Sequence, residues 1–307
     1  MANKKTLIAI VGPTAVGKTA MAISLASYFN TEIISADSRQ FYKEMSIGTA
    51  KPDATELAAV PHHFVNSHGI TQDYSAGDFE REALLKLAEL FQQHDVVVMV
   101  GGSGLFVRAL CEGLDDLPKA GAEVRERLNK ELALLGLGAM KEKLKAIDPI
   151  YFETADVDNP QRVIRALEVF EATGQPMSSY HKKNMEARSF DILTIGLNMD
   201  RDKLYKRINL RVDQMMEAGL LEEVRALIPF RAKPALLTVG YAELFDYLDG
   251  NSSLDQAVDK IKQNSRRYAK RQITWFKKYG NTHWFQPTET PEIIDFIKLK
   301  LAENSSD

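Results

Sequence analysis

Apolar positions along this chain fall into two rhythms. Short, largely apolar runs stand at residues 6–11 before Gly12-Pro13, 32–36 before Asp37, 96–100 before Gly101-Gly102, and 190–197. Runs of that length predict strands buried on both faces. Elsewhere apolar residues recur every three or four positions. Leu84, Leu87, Ala88 and Phe91 mark one helix, and 17–29 reads as another. Strands alternating with helices predict a parallel, doubly wound sheet. The stretch between the third and fourth strands reads as helical. One candidate helix covers 122–144. A second starts at Asn159-Pro160, an N-cap followed by proline at the first helical position, and stops at Gly174 with Pro176 beyond. Helical candidates at 201–218 and 254–278 fill the C-terminal third.

Composition narrows the class. The 307 residues are 45% hydrophobic and 26% charged, as in an ordinary globular protein and unlike a disordered or disulfide-stapled chain. The longest uncharged apolar stretch, 96–107, is broken by glycines and falls short of the ~20 residues a membrane span needs. No secretory signal is expected, because Lys4 and Lys5 precede only a short run before Gly12-Pro13. The single cysteine, Cys111, supplies neither an intramolecular disulfide nor a cysteine zinc cluster, so the expected address is cytoplasmic. A net charge of −3 excludes a protein coated in basic charge. A local basic patch remains, with eight Lys/Arg and no Asp or Glu between residues 260 and 279.

The sharpest signal is Gly12-Pro13-Thr14-Ala15-Val16-Gly17-Lys18-Thr19, which fits G-x-x-x-x-G-K-[ST] between a strand and a helix. Glycines let backbone N–H groups turn around an anion, Lys18 adds positive charge, Thr19 offers a hydroxyl to Mg²⁺, and the helix N-terminus adds its dipole. This is a di- or triphosphate site. The predicted fold is therefore α/β: a P-loop NTPase-like parallel sheet core over 1–110 and 189–307, a helical insertion domain over 111–188, and a helical C-terminal region. The loop leaves the reaction open. Asp37, at the end of the second strand, suits either the magnesium ligand of a nucleoside or small-molecule kinase using ATP, or a general base. The pair His62-His63 lacks an evident third metal ligand nearby.

The whole chain resembles the bacterial tRNA dimethylallyltransferases. The resemblance is carried by GPTAVGKT at 12–19, ADSRQFYKEMSIGTAKP at 36–52, PHHF at 61–64 and YSAGDF at 74–79. It continues through GGSGLF at 101–106, DNPQRVIRALEVFEATG at 158–174, VGY at 239–241 and AKRQITWF at 269–276. Phe106 stands where that family usually has tyrosine and Ser103 where it has threonine. Leu237 and Ala242 stand where arginines are common.

The resemblance implies transfer of a dimethylallyl group from dimethylallyl diphosphate to N6 of adenine 37, next to the anticodon, in tRNAs reading codons that begin with U. Pyrophosphate leaves into the phosphate loop, residues Gly12 to Thr19, with Mg²⁺ held partly by Thr19. Asp37 becomes the base that orients and deprotonates the adenine amine. Lys203, Arg207 and Arg211 form a basic row at helical spacing, and Arg207 is assigned to the diphosphate. For tRNA contact the resemblance points to Asp37, Ser38, Arg39, Gln40, Ser103, Arg125, Gln161, Arg162, Val163, Ile164, Arg165, Gly240 and Tyr241. The basic helix at 260–279 would grip the RNA backbone. A monomer without membrane attachment is expected.

Overall fold

In a computed structural model of the protein, residues 4–115, 117–118, 120–181, 187–278 and 281–304 are described. The core is a six-stranded sheet, β1 (Thr6–Val11), β2 (Ile33–Ser35), β3 (His62–His63), β4 (Val96–Val100), β5 (Asp191–Leu197) and β6 (Thr282–Phe285), in the order β3-β2-β4-β1-β5-β6. Every pairing is parallel. Helices α1 (Lys18–Tyr28), α2 (Ala54–Ala59) and α3 (Ala76–Leu90) connect the first four strands, and α4 (Gly104–Glu112) follows β4. Next come α5 (Ala122–Ile147), α6 (Pro149–Thr154) and α7 (Pro160–Thr173). After β5 follow α8 (Arg201–Glu217), α9 (Leu220–Ala226), α10 (Tyr241–Leu248) and α11 (Leu254–Lys278), with α12 (Thr290–Asn304) after β6.

The predicted parallel α/β class is what the chain adopts, and the strands at 6–11, 32–36, 96–100 and 190–197 are present within a residue or two. β3 and β6 were not anticipated. β3 has two residues, and β6 is an edge strand, Thr282–Phe285, with no apolar run to announce it.

The central strands are apolar along their whole length because both faces are covered. Ile8, Ile10, Val96, Val98 and Val100 point into one core with α1 residues Met21, Ala22 and Leu25. Leu7, Ala9, Val11, Val97 and Met99 point into the other, with Phe79, Ala83 and Leu87 of α3 and Val107 and Leu110 of α4. This is the period-two alternation of a sheet buried on both sides. A third core joins α8, α9 and α10 to Tyr42 and Met45 of the loop after β2.

The chain divides into two compact units. One joins the residues up to Glu112 with those from Arg188 onward; the other is Gly113–Ala187. The second unit is helical. Its longest element, α5, is interrupted at Gly136 (φ 77°), and α7 is bounded as expected, by the Asn159 side chain accepting from the Gln161 N–H and by Gly174 at φ 71°. Val163, Ile164, Ala166 and Leu167 of α7 form its core with Leu128, Met140, Leu144 and Tyr151.

Two of the sequence motifs pack directly on each other. A side chain at Gly102 would collide with the Gln272 amide, and one at Gly104 with the Trp275 indole, so the glycines after β4 are the floor on which α11 rests. Overpacking of that contact costs about 1–3 kcal/mol. Gly104→Ala is therefore expected to lower the urea midpoint by that amount of stability. An unchanged midpoint would show that Trp275 moves aside at no cost.

Candidate active site

β1 delivers the chain into Gly12 (φ 141°), Ala15 (φ 63°) and Gly17 (φ 112°), and α1 starts at Lys18. These left-handed positions turn the backbone into a cradle at the positive end of α1. Lys18 folds back over it, its Nζ donating to the Pro13 carbonyl at 2.8 Å. Burial pushes the Lys18 ammonium down to about 8, Asp37 opposing and Arg211 adding to the shift. Arg211 is also held below its usual value, first by burial, with Asp37 opposing and Arg207 adding. A cluster of cations that outnumbers the carboxylates beside it, Asp37 and Glu56, is costly to keep empty and is relieved by an anion.

Gln272 fixes the loop from the far side. Its Oε1 accepts from the Thr14 N–H at 2.8 Å, and its Nε2 donates to the Gly102 carbonyl at 2.9 Å. One turn earlier on α11, Tyr268 hydrogen-bonds Ser103, and burial pushes its hydroxyl up to about 12 with Asp37 adding to the rise. Ser103 Oγ in turn accepts from the Ser38 N–H and donates to Ser38 Oγ, both at 3.0 Å. Asp37 Oδ1 accepts from the Arg39 N–H at 3.0 Å.

Two chambers open on this constellation. One, of about 390 Å³, is polar: Lys18, Thr19, Arg207, Lys51, Glu56 and His62 lie on its wall. The other, of about 200 Å³, carries Ile208, Val212, Met215, Val239 and Ile261. Thr14, Asp37, Thr49, Arg211 and Tyr268 line both. Asp37 therefore stands where an ionic chamber meets a more apolar one.

The structure brings together Asp37, the phosphate loop, Arg207, Ser38, Arg39 and Ser103. Gly240 also reaches the wall of the smaller chamber. Gln40 lines the larger chamber, but its amide donates to the Thr49 and Ala50 carbonyls at 3.2 Å each and so anchors the loop. The expected basic row divides: Arg207 and Arg211 face the chamber, whereas Lys203 is exposed and absent from its wall.

Tyr241 is a correction. Expected at an RNA surface, it is fully buried, its hydroxyl donating to Glu223 Oε1 at 2.6 Å. Val163 and Ile164 are also corrections, because both side chains lie inside the helical unit's core. On the same helix Gln161 and Arg162 are exposed. Arg165 is occupied within its unit by the Leu117 and Pro118 carbonyls (3.4 and 3.1 Å), and Arg125 pairs with buried Glu168 at 3.2 Å.

The sequence pattern singles out neither Gln272 nor Thr49, and marks Tyr268 only as part of the basic helix. The signal available was the i, i+4 spacing of Tyr268 and Gln272, which sets both on the one face of α11 turned to the loop.

The histidines form no metal centre: His62 Nδ1 meets the Val60 carbonyl at 2.7 Å and His63 Nε2 meets Glu32 at 2.5 Å. Among the described residues no group of three or more His, Cys, Asp or Glu could hold a metal ion. Among them, too, no helix is long and apolar enough to cross a membrane.

An all-parallel sheet with a glycine-lined loop after β1 and a carboxylate after β2, opening on a second chamber, defines a P-loop-like α/β protein. A family model described as IPP transferase matches residues 40–279, and the chain belongs to that family. It is 53% identical to the tRNA dimethylallyltransferase of Christiangramia forsetii over 296 residues, 96% of this chain and 98% of that one. It is 51% identical to the protein of that name from Cytophaga hutchinsonii, over 97% of this chain and 98% of that one. Among solved structures it is similar to the full-length tRNA isopentenylpyrophosphate transferase of Bacillus halodurans, with a TM-score of 0.73, 40% identity and 99% of each chain covered. A eukaryotic dimethylallyltransferase acting on tRNA gives a TM-score of 0.73 at 27% identity, covering 88% of this chain and 69% of that one.

The lowered Lys18 yields a pH prediction. Above about 8 the amine of the empty site is neutral, and an anion must recharge it on binding. Pyrophosphate affinity is expected to fall as pH rises from about 8 towards the ordinary lysine value of 10.5, by up to about tenfold per unit. Lys18→Met should bind more weakly and lose that part of the slope. Calorimetric titrations across this range decide it; equal slopes in the two proteins would contradict the assignment.

Proposed function

We propose that this protein transfers a dimethylallyl group from dimethylallyl diphosphate to N6 of the adenine beside the anticodon of tRNA. The observation that carries the reading is the junction of an ionic and a more apolar chamber at Asp37. A prenyl diphosphate has those two halves, and its reacting carbon lies between them.

In this reading the C1–O bond breaks with its electron pair passing to the departing pyrophosphate. Lys18, Arg207, Arg211 and the start of α1 are aimed at that growing charge, so they stabilise the transition state more than the ground state. The N6 lone pair forms the new C1–N bond. That amine is a poor nucleophile because its lone pair is delocalised into the ring, and Asp37 would orient it and take its proton. An adenine stacked in a loop cannot enter such a site, so it must be splayed out, and Ser38 and Arg39 stand beside Asp37 to receive its edges.

In this reading a magnesium ion would be shared between the protein and the diphosphate. Thr19 provides a hydroxyl, and Mg²⁺ commonly keeps several waters and takes its remaining oxygens from substrate phosphates. Bound there, it would add positive charge at the leaving group.

The exposed Lys270, Arg271 and Lys277 of α11, with Arg162 and Gln161 of α7, are the candidate RNA contacts. Tyr279 lies outside the described residues. A kinase shares the phosphate loop, but none of the relatives named above is a kinase.

Asp37→Ala is expected to lower kcat by about a hundredfold to ten-thousandfold, the range for removing a general base, with the Kd for unmodified tRNA moving less than about threefold. Single-turnover prenylation and filter binding measure the two. Near-wild-type turnover would end the assignment of Asp37.

A further inference from the structure

The segment from Met45 to Pro52 separates the two chambers: Gly48 lines the smaller, Ala50, Lys51 and Pro52 the larger, and Thr49 both. It holds no regular secondary structure, and Ala50 sits in the left-handed region at φ 45°. Turn bonds within it (Ala50 N–H to the Ile47 carbonyl at 3.0 Å, Thr49 Oγ1 to the Met45 carbonyl at 2.7 Å) set its local shape, and contacts from outside anchor it on both sides. On the chamber side, Gln40 takes the Thr49 and Ala50 carbonyls, and Arg211 reaches the Ala50 carbonyl at 3.4 Å.

On the opposite side stands one carboxylate. Glu223 of α9 accepts three consecutive backbone N–H groups, from Ser46 (2.9 Å), Ile47 (2.7 Å) and Gly48 (3.1 Å), and the Tyr241 hydroxyl at 2.6 Å. Successive N–H groups converging on an anion form a nest, here filled by the protein's own side chain. Tyr241 is held in turn, because Glu243 at the start of α10 accepts from the Gly240 N–H (2.8 Å) and from Asn264 of α11 (2.7 Å). The Tyr241 ring lies against Gly48 so closely that a Cβ there would come within 2.6–2.7 Å of it. Burial and the neighbouring Glu223 both raise the Tyr241 hydroxyl, which keeps it a donor.

We infer that Glu223 and Tyr241 are positioning residues for the transfer step: through the nest they fix Gly48 and Thr49 at the junction of the chambers, and so the geometry in which acceptor and donor meet at Asp37. This rests on the prenyl-transfer reading above. Neither side chain lines a chamber, and neither touches the phosphate loop in any contact described. The effect should therefore fall on turnover and leave the anion site intact. A glutamine at 223 would turn an N–H₂ group towards donors and cannot accept all four bonds.

The test measures E223Q, Y241F and the double variant for prenylation of unmodified tRNA, the inhibition constant of pyrophosphate, the melting temperature, and amide exchange of residues 46–48. A misplacement of reacting groups by about 1 Å costs on the order of a hundredfold. E223Q is expected to lose about tenfold to a hundredfold in kcat and Y241F about threefold to tenfold. The double variant should resemble E223Q alone, since both act through one carboxylate. Pyrophosphate inhibition should change less than about twofold, and the 46–48 amides should exchange faster.

If E223Q does not fold, Y241F, which keeps the ring, carries the test by the same readouts. Folded variants with wild-type kcat overturn the inference, as does a kcat loss matched by an equal loss of pyrophosphate affinity. Wild-type protein in the same assay reports separately: if it fails to prenylate tRNA, the function reading falls, whereas an active wild type with unaltered variants refutes only the positioning role.

Discussion

The site depends on parallel pairing of β1 between β4 and β5. Register Ile10↔Val100 on one side and Val11↔Gly196 on the other brings the carboxyl ends of these strands level. With β2 beside β4, the phosphate loop, Asp37 and the glycines at 101–104 emerge at one edge of the sheet. Ligands of open α/β sheets bind at that edge for the same reason. A strand shifted by one residue would exchange its two buried faces, so the two cores that flank the sheet also hold the site in register.

Around that edge, polar groups are used twice, to fold the chain and to prepare the site. Gln272 satisfies the Thr14 N–H and the Gly102 carbonyl, which ties α11 to the cradle. Ser103 joins Ser38, next to Asp37, to Tyr268 on α11. Such bonds contribute only about 1 kcal/mol each to stability, and their larger effect is to remove alternative positions for the groups that line the chambers. Lys18, Arg207 and Arg211 do the reverse. They crowd like charge into a chamber at a cost to the empty protein, and in the proposed reaction that cost would become affinity for the leaving group.

Much of this was legible in the sequence. Unbroken apolar runs such as 96–100 give away strands covered on both faces, and the strand–loop–helix context of residues 12–19 made the anion site readable without a fold. β6 escaped because an edge strand need not be apolar, and β3 because two residues carry no period. Side-chain direction was the other blind spot. Val163 and Ile164 lie next to the polar contact candidates Gln161, Arg162 and Arg165, and Tyr241 opens α10, yet helical position turns each inward. Arg165 shows how a charged residue on the predicted face can be consumed by carbonyls that no sequence pattern reveals. Phe106 illustrates the opposite case: it packs against Phe41 and Phe79 at 5.4 and 5.6 Å, where a ring without a hydroxyl is well accommodated.

The central claim is that the anion loop receives a departing pyrophosphate and that no phosphoryl group moves. Product analysis tests it most directly. Protein, Mg²⁺ and unmodified tRNA are incubated with dimethylallyl diphosphate labelled in the isoprenoid, and in parallel with ATP. The account predicts label covalently attached to adenine in RNA, one pyrophosphate released per label, and no ADP from ATP. Nucleoside triphosphate consumed to ADP with a phosphorylated product, and isoprenoid left untouched, would contradict it.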